Sequence, residues 1–450
     1  MSRRYFGTDG IRGAVGGDLM NVDFLRRVGY ALADFLIKHN HAKPVTAVIG
    51  RDTRASGEAF EKAICEGLCV AGVHVIRLGV VPTPAVSMST RDLRADLGIV
   101  LTASHNPSSD NGLKLFDNRG LKFASDAEAA IEDFIDKQEV PDDVVHVECA
   151  YDHDSSGHYV NFQKSLMHQN CLKDWKIVLD TANGAAFKTS PAVFKHFGAD
   201  LLQIGAEPDG ENINQNVGSE CPEQLAELVI AENARLGIAH DGDADRAVFC
   251  DEKGFILSGE EVMGAIALDL IERDKLNHNT LVTTVHSNLG LDHALNAVGG
   301  KTIRTAVGDR NILHAMLEGE YTFGGESSGH YLFFEQSKSG DGLLAAIRIV
   351  ELMLRTGKPL SELRKAVRLF PQATKNIHVS EKLPLESCDA LSAAIARIEQ
   401  KFGNSGRVLV RYSGTEPQLR LLVEAEDDSL IAPAINELEG AVRADLPIDK

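Results

Sequence analysis

The segment TAVIGRDTRASGEAFEKAICEGLCVAGVHVIRLG, which spans residues 46–79, contains the succession of elements that decides the fold. An apolar run at 46–50 enters a polar loop, apolar residues at helical spacing follow over 58–71, and a second apolar run begins after Gly72. These features predict a strand, a helix and a second strand. Strands joined through a helix are typical of parallel sheets in α/β proteins.

The same succession occurs twice more along the chain. A second copy covers 176–205 and a third covers 281–306, each with glycine between the helical pattern and the second apolar run. In every copy a further apolar run then ends in an unusual polar loop, and these three runs with their loops span 97–107, 236–246 and 321–330. Because ligands collect at the carboxyl ends of parallel strands, we expect the three loops to face one cleft.

The last part of the chain differs from the three copies. Apolar runs at 407–412 and 418–425 predict two neighbouring strands, and a helical pattern follows them. We therefore predict an α/β protein with three similar domains, each a mixed, mainly parallel sheet with helices, and a smaller C-terminal α+β domain, arranged around a central cleft. The predicted borders of the four domains are 1–150, 151–254, 255–368 and 369–450.

Composition excludes several classes of protein. The chain of 450 residues is 44% hydrophobic and 25% charged, which is typical of a globular protein, and its net charge of -19 argues against a nucleic-acid partner. Seven cysteines without a CxxC pair indicate a reducing compartment. Since no apolar stretch is long enough to span a membrane, and since no apolar signal region follows MSRRYF, we predict a cytoplasmic protein without a membrane partner. A homodimer stays an open alternative.

Three aspartates alternate in the loop DGDADR at 241–246, which lies between two apolar runs. In an extended loop Asp241, Asp243 and Asp245 would all point to the same side. Carboxylate oxygens without nitrogen or sulfur ligands suit Mg²⁺ or Ca²⁺, so we interpret the loop as a metal site, with a solvated acidic turn as the alternative. A calcium-sensing EF-hand is the weaker interpretation, because Arg246 occupies its required glycine position and the flanks have the character of strands.

The motif GESSG at 325–329 matches the GxSxG pattern of serine hydrolases. That motif requires a helix directly afterwards, yet the next residues are apolar, aromatic and typical of a strand. A hydrolase with Ser327 as nucleophile is therefore the minor alternative. Glu326, Ser328 and His330 are better suited to hydrogen-bond the hydroxyl groups of a polyol, with a plain hairpin as the alternative.

Two further loops carry residues that suit phosphate chemistry. Ser413, Gly414 and Thr415 form a predicted turn flanked by two arginines, Arg411 and Arg420, which together offer the donors that hold a phosphate. The second loop, TASHNP at 102–107, places Ser104 next to His105 directly after an apolar run. A serine hydroxyl is a poor nucleophile without a nearby base and cation, so the second loop alone would more often be an ordinary turn than a site. The first loop alone is a weak signal, because turns of this composition are common.

Taken together, these segments resemble the α-D-phosphohexomutase family, and the resemblance covers nearly the whole chain. The segments that match the motifs of the family are FGTDGIRG (6–13), GRDTR (50–54), TASHNP (102–107), NGLK (111–114), DGDADR (241–246), VGDR (307–310), GESSGH (325–330), SGDG (339–342) and RYSGTEP (411–417).

The resemblance implies a role for each matching residue. Ser104 would be the phosphorylated serine, and Mg²⁺ would be held by that serine's phosphate together with Asp241, Asp243 and Asp245. Three residues would lie close to the transferring group: Arg12, His105 and Lys114. Sugar hydroxyls would be bound by Glu326, Ser328 and His330, and the phosphate that does not react would be bound by Arg411, Ser413, Gly414, Thr415 and Arg420.

The resemblance also implies the reaction. Family members move a phosphoryl group between positions 1 and 6 of a hexose through a 1,6-bisphosphate intermediate. The opening motif, VGDR and SGTEP are most similar to the members that interconvert glucosamine 6-phosphate and glucosamine 1-phosphate for UDP-N-acetylglucosamine and peptidoglycan synthesis; members that act on glucose or mannose phosphates are the alternative. One departure is Ala244, where the glucosamine phosphate members usually carry glycine.

Overall fold

The structure is a computed structural model that describes residues 4–7, 9–39, 44–137, 150–151, 155–413 and 417–448. The chain forms two compact units. The first unit consists of residues 1–286 and 300–366, and the second of residues 287–299 and 367–450. In the part of the chain described here, no helix has both the length and the apolar character that are needed to cross a membrane.

The first unit begins with a sheet whose strands follow the order β1-β5-β4-β2-β3-β6. Strands β2, β3, β4 and β6 run parallel to one another. Strand β5 pairs antiparallel with β4 on one side and with β1 on the other. The elements are β1 (Ile11–Ala14), α1 (Val22–His39), β2 (Thr46–Arg51), α2 (Gly57–Val70), β3 (His74–Val80), α3 (Thr83–Asp92), β4 (Leu97–Leu101), β5 (Asp110–Asp117), α4 (Ser125–Lys137) and β6 (Ala150–Tyr151).

Helices α1 and α2 pack against each other at two glycines. A methyl group added at Gly67 would lie 2.1 Å from the carbonyl oxygen of Arg26, and one added at Gly29 would lie 2.4 Å from the carbonyl oxygen of Ile64. Both distances are far below van der Waals contact, so the helices approach this closely only because neither position carries a side chain. The close approach fixes how α2 lies on α1, and α2 follows the polar loop after β2.

A second sheet of the first unit has the order β10-β9-β7-β8, with β10 antiparallel to β9 and the other pairs parallel. Its strands and the neighbouring helices are α5 (Ser155–Ser165), β7 (Lys176–Asp180), α6 (Thr189–His196), β8 (Asp200–Ile204), α7 (Glu223–Ala231), β9 (Leu236–His240) and β10 (Ala247–Asp251). All five residues of β9 are buried, which explains its continuous apolar character.

A third sheet has the order β12-β11-β13-β14, again with one antiparallel edge strand. The elements are α8 (Gly259–Glu272), β11 (Thr280–Thr284), α9 (Leu289–Asn296), β12 (Lys301–Thr305), α10 (Asp309–Glu318), β13 (Phe323–Gly325), β14 (Tyr331–Phe333), α11 (Gly342–Thr356) and α12 (Leu360–Leu363). The strand, helix and strand predicted at 46–79, 176–205 and 281–306 are therefore all present. The prediction of mixed, mainly parallel α/β sheets is confirmed.

The second unit contains an antiparallel sheet of order β15-β17-β16. Its elements are β15 (Gln372–His378), α13 (Asp389–Phe402), β16 (Gly406–Tyr412), β17 (Gln418–Ala425) and α14 (Ile431–Asp445), and α9 also belongs to this unit. Asn288 joins α9 to this unit, since its side-chain amide donates to the Phe370 carbonyl oxygen at 2.9 Å. The predicted borders of the four domains stay predictions.

Candidate active site

Ser104 lies in a buried loop that follows the fully buried strand β4. Its backbone has φ of 54°, in the left-handed region that residues with a side chain rarely adopt. Such a conformation costs about 1–3 kcal/mol and persists only where the surroundings enforce it. One contact that does so joins the Ser104 N–H to the hydroxyl of Thr102 at 2.9 Å.

Arg54, from the GRDTR motif, is the main support of this loop, and it is almost completely buried. Its Nε donates to Asp52 at 2.9 Å. The other two nitrogens donate to four main-chain carbonyl oxygens of the loop, those of Ser104, Asn106, Pro107 and Asp110. All five N–H groups of the guanidinium are therefore used. Asn214, from the second sheet's part of the chain, adds a hydrogen bond to the Ser104 carbonyl oxygen at 2.9 Å.

The three aspartates of DGDADR meet Ser104 at this point. They are buried, one carboxylate oxygen of each lies within 4.8 Å of the others, and Asp241 Oδ2 accepts a hydrogen bond of 2.6 Å from the Ser104 hydroxyl. The three carboxylates converge as expected, but the loop that brings them together is not extended. The loop turns, and Ala244 sits in the left-handed region with φ of 58°. A glycine at this position would adopt the same conformation without strain.

The aspartates fit a divalent cation. Asp243 Oδ1 and Asp245 Oδ1 are buried and accept no hydrogen bond from the residues that the structure describes. Burial, and then the charges of the two neighbouring aspartates, raise the pKa of Asp241 well above its ordinary value. Converging carboxylates with unsatisfied oxygens are the donor set that hard cations such as Mg²⁺ prefer.

Lys114, on β5, faces the same carboxylates. Its Nζ lies 2.7 Å from Asp243 Oδ2, 2.7 Å from Asp245 Oδ2 and 3.3 Å from Asp9 Oδ2. Burial alone would lower the pKa of Lys114, but the attraction of these carboxylates raises it well above its ordinary value. Arg12 pairs with Asp9, so both predicted cations lie near the aspartate loop.

His105 does not form a catalytic triad with Ser104. Its Nδ1 lies 3.4 Å from the Ser104 hydroxyl, and within the described residues its ring has no hydrogen bond to a carboxylate. Burial, and then the charge of Arg246, lower the pKa of His105. A Ser-His-Asp arrangement needs a carboxylate on the far side of the imidazole, and here that group is missing from the described part of the chain.

The loop between β13 and β14 brings a second set of predicted residues to the site. His330 Nε2 lies 3.9 Å from Asp245 Oδ2, and its Nδ1 lies 3.9 Å from Glu326 Oε2. Ser328 is exposed. A strand rather than a helix follows Ser327, whose hydroxyl donates to Glu260 at 2.5 Å. The geometry that a GxSxG nucleophile requires is therefore not formed at Ser327.

The second unit carries the predicted phosphate ligands on β16 and β17. Arg411 and Arg420 are directly opposite each other in the antiparallel register, and Arg420 donates to the Ser413 hydroxyl at 3.3 Å. Burial, and then the like charge of Arg420, lower the pKa of Arg411. Two cations in such proximity form a favourable position for an anion. Gly414 and Thr415 lie outside the described residues.

Sequence reasoning missed several residues of the site. Lys122 is buried and pairs both with Asp9 and with Asp309, the latter at 2.6 Å. Thr83, at the start of α3, donates to Asp243 Oδ2. The sequence does contain a signal for Lys122, because Gly-Leu-Lys at 120–122 repeats the string at 112–114 that ends in the predicted site residue Lys114.

Models of one family match the chain in order. They are the phosphoglucomutase/phosphomannomutase alpha/beta/alpha domain I over 3–141, domain II over 157–254, domain III over 258–370 and the C-terminal domain over 375–438. A phosphoglucosamine mutase of Solidesulfovibrio magneticus is 44% identical over 448 residues, which are 98% of this chain and 99% of that protein.

Solved structures show the same fold. A phosphoglucomutase/phosphomannomutase family protein from Burkholderia thailandensis has a TM-score of 0.83 at 24% identity, covering 98% of this chain and 99% of that one. An N-acetylphosphoglucosamine mutase of Aspergillus fumigatus, solved in complex with GlcNAc-6P and magnesium, has a TM-score of 0.64 at 17% identity, covering 99% and 96% of the two chains.

Proposed function

The chain belongs to the phosphoglucomutase/phosphomannomutase family, and on this premise we propose that it interconverts D-glucosamine 6-phosphate and D-glucosamine 1-phosphate. The activity is that of an isomerase that transfers a phosphoryl group within one sugar. The observation that carries the chemistry is the Ser104 hydroxyl, which donates to Asp241, one of three buried aspartates that converge; the other two accept from the ammonium of Lys114. The 44% identity with a phosphoglucosamine mutase over 98% of the chain supports the choice of sugar.

In the proposed reaction, Ser104 carries a phosphoryl group as phosphoserine. The bond between phosphorus and Ser104 Oγ breaks while the free hydroxyl oxygen of the sugar phosphate bonds to the same phosphorus. This hydroxyl loses its proton, and the released Ser104 Oγ gains one. The product is the 1,6-bisphosphate. After the bisphosphate turns over, its other phosphoryl group returns to Ser104 by the reverse step, and the sugar oxygen that is released regains a proton.

The residues around Ser104 suit this transfer because phosphoryl transfer depends mainly on alignment and charge stabilisation. Arg54 and Asn214 both donate to the carbonyl oxygen of Ser104 and so hold the main chain that carries the reacting hydroxyl. The Nζ of Lys114 donates to two aspartates at once, which is the geometry of a charged ammonium that can stabilise the transferring group.

Asp241, Asp243 and Asp245 would hold Mg²⁺ together with the phosphate of Ser104, and the cation would neutralise charge on the transferring phosphoryl group. Glu326, Ser328 and His330 would bind the sugar hydroxyls. Arg411, Ser413, Thr415 and Arg420 would bind a phosphate on the second unit. We place the enzyme in the cytoplasm, and a homodimer stays an open alternative.

The choice of sugar is tested by comparing kcat/KM for glucosamine 6-phosphate, glucose 1-phosphate and mannose 1-phosphate, each with a catalytic amount of its own bisphosphate. We expect glucosamine 6-phosphate to be preferred by at least about 100-fold, the order of discrimination that one differing polar contact supplies. A higher value for glucose or mannose phosphate would instead identify a phosphoglucomutase or phosphomannomutase of the same family.

Arg54→Lys tests the support of the phosphoserine loop. Lysine offers three donors in place of five and cannot reproduce the planar fork, so buried carbonyl oxygens lose their partners. Each loss costs about 1–3 kcal/mol of the free energy of unfolding, and the displaced Ser104 is expected to slow turnover about 100-fold. Urea unfolding and steady-state turnover measure the two effects.

Arg119→Lys is the matched control for Arg54→Lys, because Arg119 pairs with Asp117 in the same part of the chain but has 68% of its side chain exposed. Its turnover and its unfolding midpoint are expected to equal those of the unmodified chain. If Arg54→Lys turned over as fast as this control, the loop would not depend on the guanidinium.

A further inference from the structure

The VGDR motif at 307–310 has no role in the reaction described above, yet it contacts the sugar loop directly. The backbone N–H of Gly308 donates to Glu326 Oε1 at 2.9 Å. Gly308 has φ of 118°, a conformation that a residue with a side chain rarely adopts, and it directly precedes the first residue of α10. The direction of the Glu326 carboxylate is therefore set by the main chain at Gly308.

Asp309 contacts the other end of the sugar loop. Its Oδ2 lies 3.7 Å from His330 Nε2, a buried nitrogen without a hydrogen-bond partner among the described residues. The same Oδ2 lies 2.6 Å from the ammonium of Lys122, which also pairs with Asp9. Asp9 in turn lies 3.3 Å from Lys114. Two carboxylates, those of Asp309 and Asp9, thus connect the sugar loop through Lys122 with Lys114.

Arg310 joins the motif to the first sheet's part of the chain. Its two terminal nitrogens donate to the two oxygens of Glu128 on α4, one of them at 2.8 Å. The Glu128 carboxylate is almost completely buried, and only 17% of the Arg310 side chain is exposed. A bidentate pair between arginine and carboxylate fixes both distance and orientation, which a lysine at the same position would not do.

We infer that Gly308, Asp309 and Arg310 form a positioning element that sets Glu326 and His330 against Ser104 and Lys114. This inference rests on the proposed function, and it deepens it by naming residues that control where the acceptor sugar lies. In the described part of the chain, the element has no hydrogen bond to Ser104 or to the unsatisfied oxygens of Asp243 and Asp245. It therefore acts on the alignment of the sugar hydroxyl that accepts the phosphoryl group. Loss of the Arg310 pair should therefore slow transfer to a sugar hydroxyl and leave transfer to water unchanged, because water needs no alignment by the sugar loop.

The test uses the phosphorylated full-length chain and its Arg310→Lys variant. The phosphoserine carries a radioactive phosphoryl group, and transfer to glucosamine 6-phosphate is followed in single turnovers as the label that passes to the sugar phosphate. Hydrolysis is followed, without sugar, as the release of labelled inorganic phosphate. We expect transfer to sugar to fall about 10- to 100-fold, KM for the sugar phosphate to rise, and hydrolysis to stay within twofold of the unmodified chain.

Arg364→Lys is the matched control, because Arg364 also donates to two carboxylates of the first unit, Asp251 at 3.1 Å and Glu261 at 3.0 Å. It should match Arg310→Lys in the shift of the thermal midpoint and leave transfer to sugar unchanged. Glu128→Gln, which removes the charge of the partner, provides a second variant should Arg310→Lys not fold. The double variant of Arg310→Lys and Glu128→Gln is expected to transfer to sugar no more slowly than the slower of the two single variants, because both substitutions break the same pair.

Equal slowing of sugar transfer and hydrolysis, or unchanged sugar transfer in both Arg310→Lys and Glu128→Gln, would overturn the inference. The proposed function fails separately, in the unmodified chain, if glucosamine 6-phosphate does not take up the labelled phosphoryl group of the phosphoserine. In that case the same comparison of the variants uses whichever hexose phosphate the unmodified chain accepts as its substrate. If the label passed to no hexose phosphate, both the inference and the proposed function would be overturned.

Discussion

The Ser104→Ala variant is expected to lose mutase turnover by at least about 10⁴-fold, because the removal of a nucleophile that forms a covalent intermediate leaves no alternative route. The Ser104 hydroxyl is the group that donates to Asp241 at 2.6 Å, and alanine retains the backbone N–H that bonds Thr102. Removing one donor to a buried acceptor costs about 1–3 kcal/mol, which a chain of this size tolerates. Turnover, circular dichroism and the intact mass after incubation with the bisphosphate measure these effects.

Ser109→Ala is the matched control, since Ser109 is an exposed serine of the same loop whose carbonyl oxygen, rather than its hydroxyl, bonds Val15. It should turn over normally and gain the mass of one phosphoryl group. The Ser104→Ala variant should gain none. Full turnover in Ser104→Ala, or a phosphorylated residue elsewhere in that variant, would remove Ser104 from the mechanism.

Residue patterns along the chain predict the parts of the site that lie within one loop. The apolar run before Ser104 predicts β4, and the runs around Asp241 predict β9 and β10. The rule that ligands lie at the carboxyl ends of parallel strands then brings these loops together. The contact between Ser104 and Asp241, which are 137 residues apart, confirms this expectation for the two loops.

Other parts of the site depend on contacts that no local pattern contains. Arg54 is one of many arginines, and only the fold shows that four carbonyl oxygens of another loop surround it. Lys122 is buried only because Asp9 and Asp309 compensate its charge, and those partners come from distant segments. The turn at Ala244 was missed for a different reason, because alanine carries no propensity for the left-handed conformation that the loop imposes on it.

The Asp243→Asn variant is expected to need at least about 100-fold more Mg²⁺ for half-maximal turnover, because even residues that only orient metal ligands change metal affinity 10- to 100-fold. Asp243 Oδ1 is buried and unsatisfied in the described part of the chain, while its Oδ2 already accepts from Lys114 and Thr83. The amide oxygen of asparagine can accept the hydrogen bonds from Lys114 and Thr83, but it cannot supply the negative charge that a divalent cation requires. Turnover measured against Mg²⁺ concentration after treatment with a chelator tests the expectation.

A second readout separates metal binding from catalysis. A ligand that binds only the folded state raises the thermal midpoint, and the rise grows with the logarithm of the ligand concentration over its dissociation constant. Mg²⁺ should therefore raise the thermal midpoint of the unmodified chain. At the same concentration it should have little effect on Asp243→Asn. Asp209→Asn is the control, because Asp209 is exposed and accepts hydrogen bonds from the backbone N–H groups of Glu211 and Asn212, which an amide oxygen also accepts. Equal Mg²⁺ stabilisation of both variants would show that the buried aspartates serve the fold, with Lys114 as their permanent counter-ion.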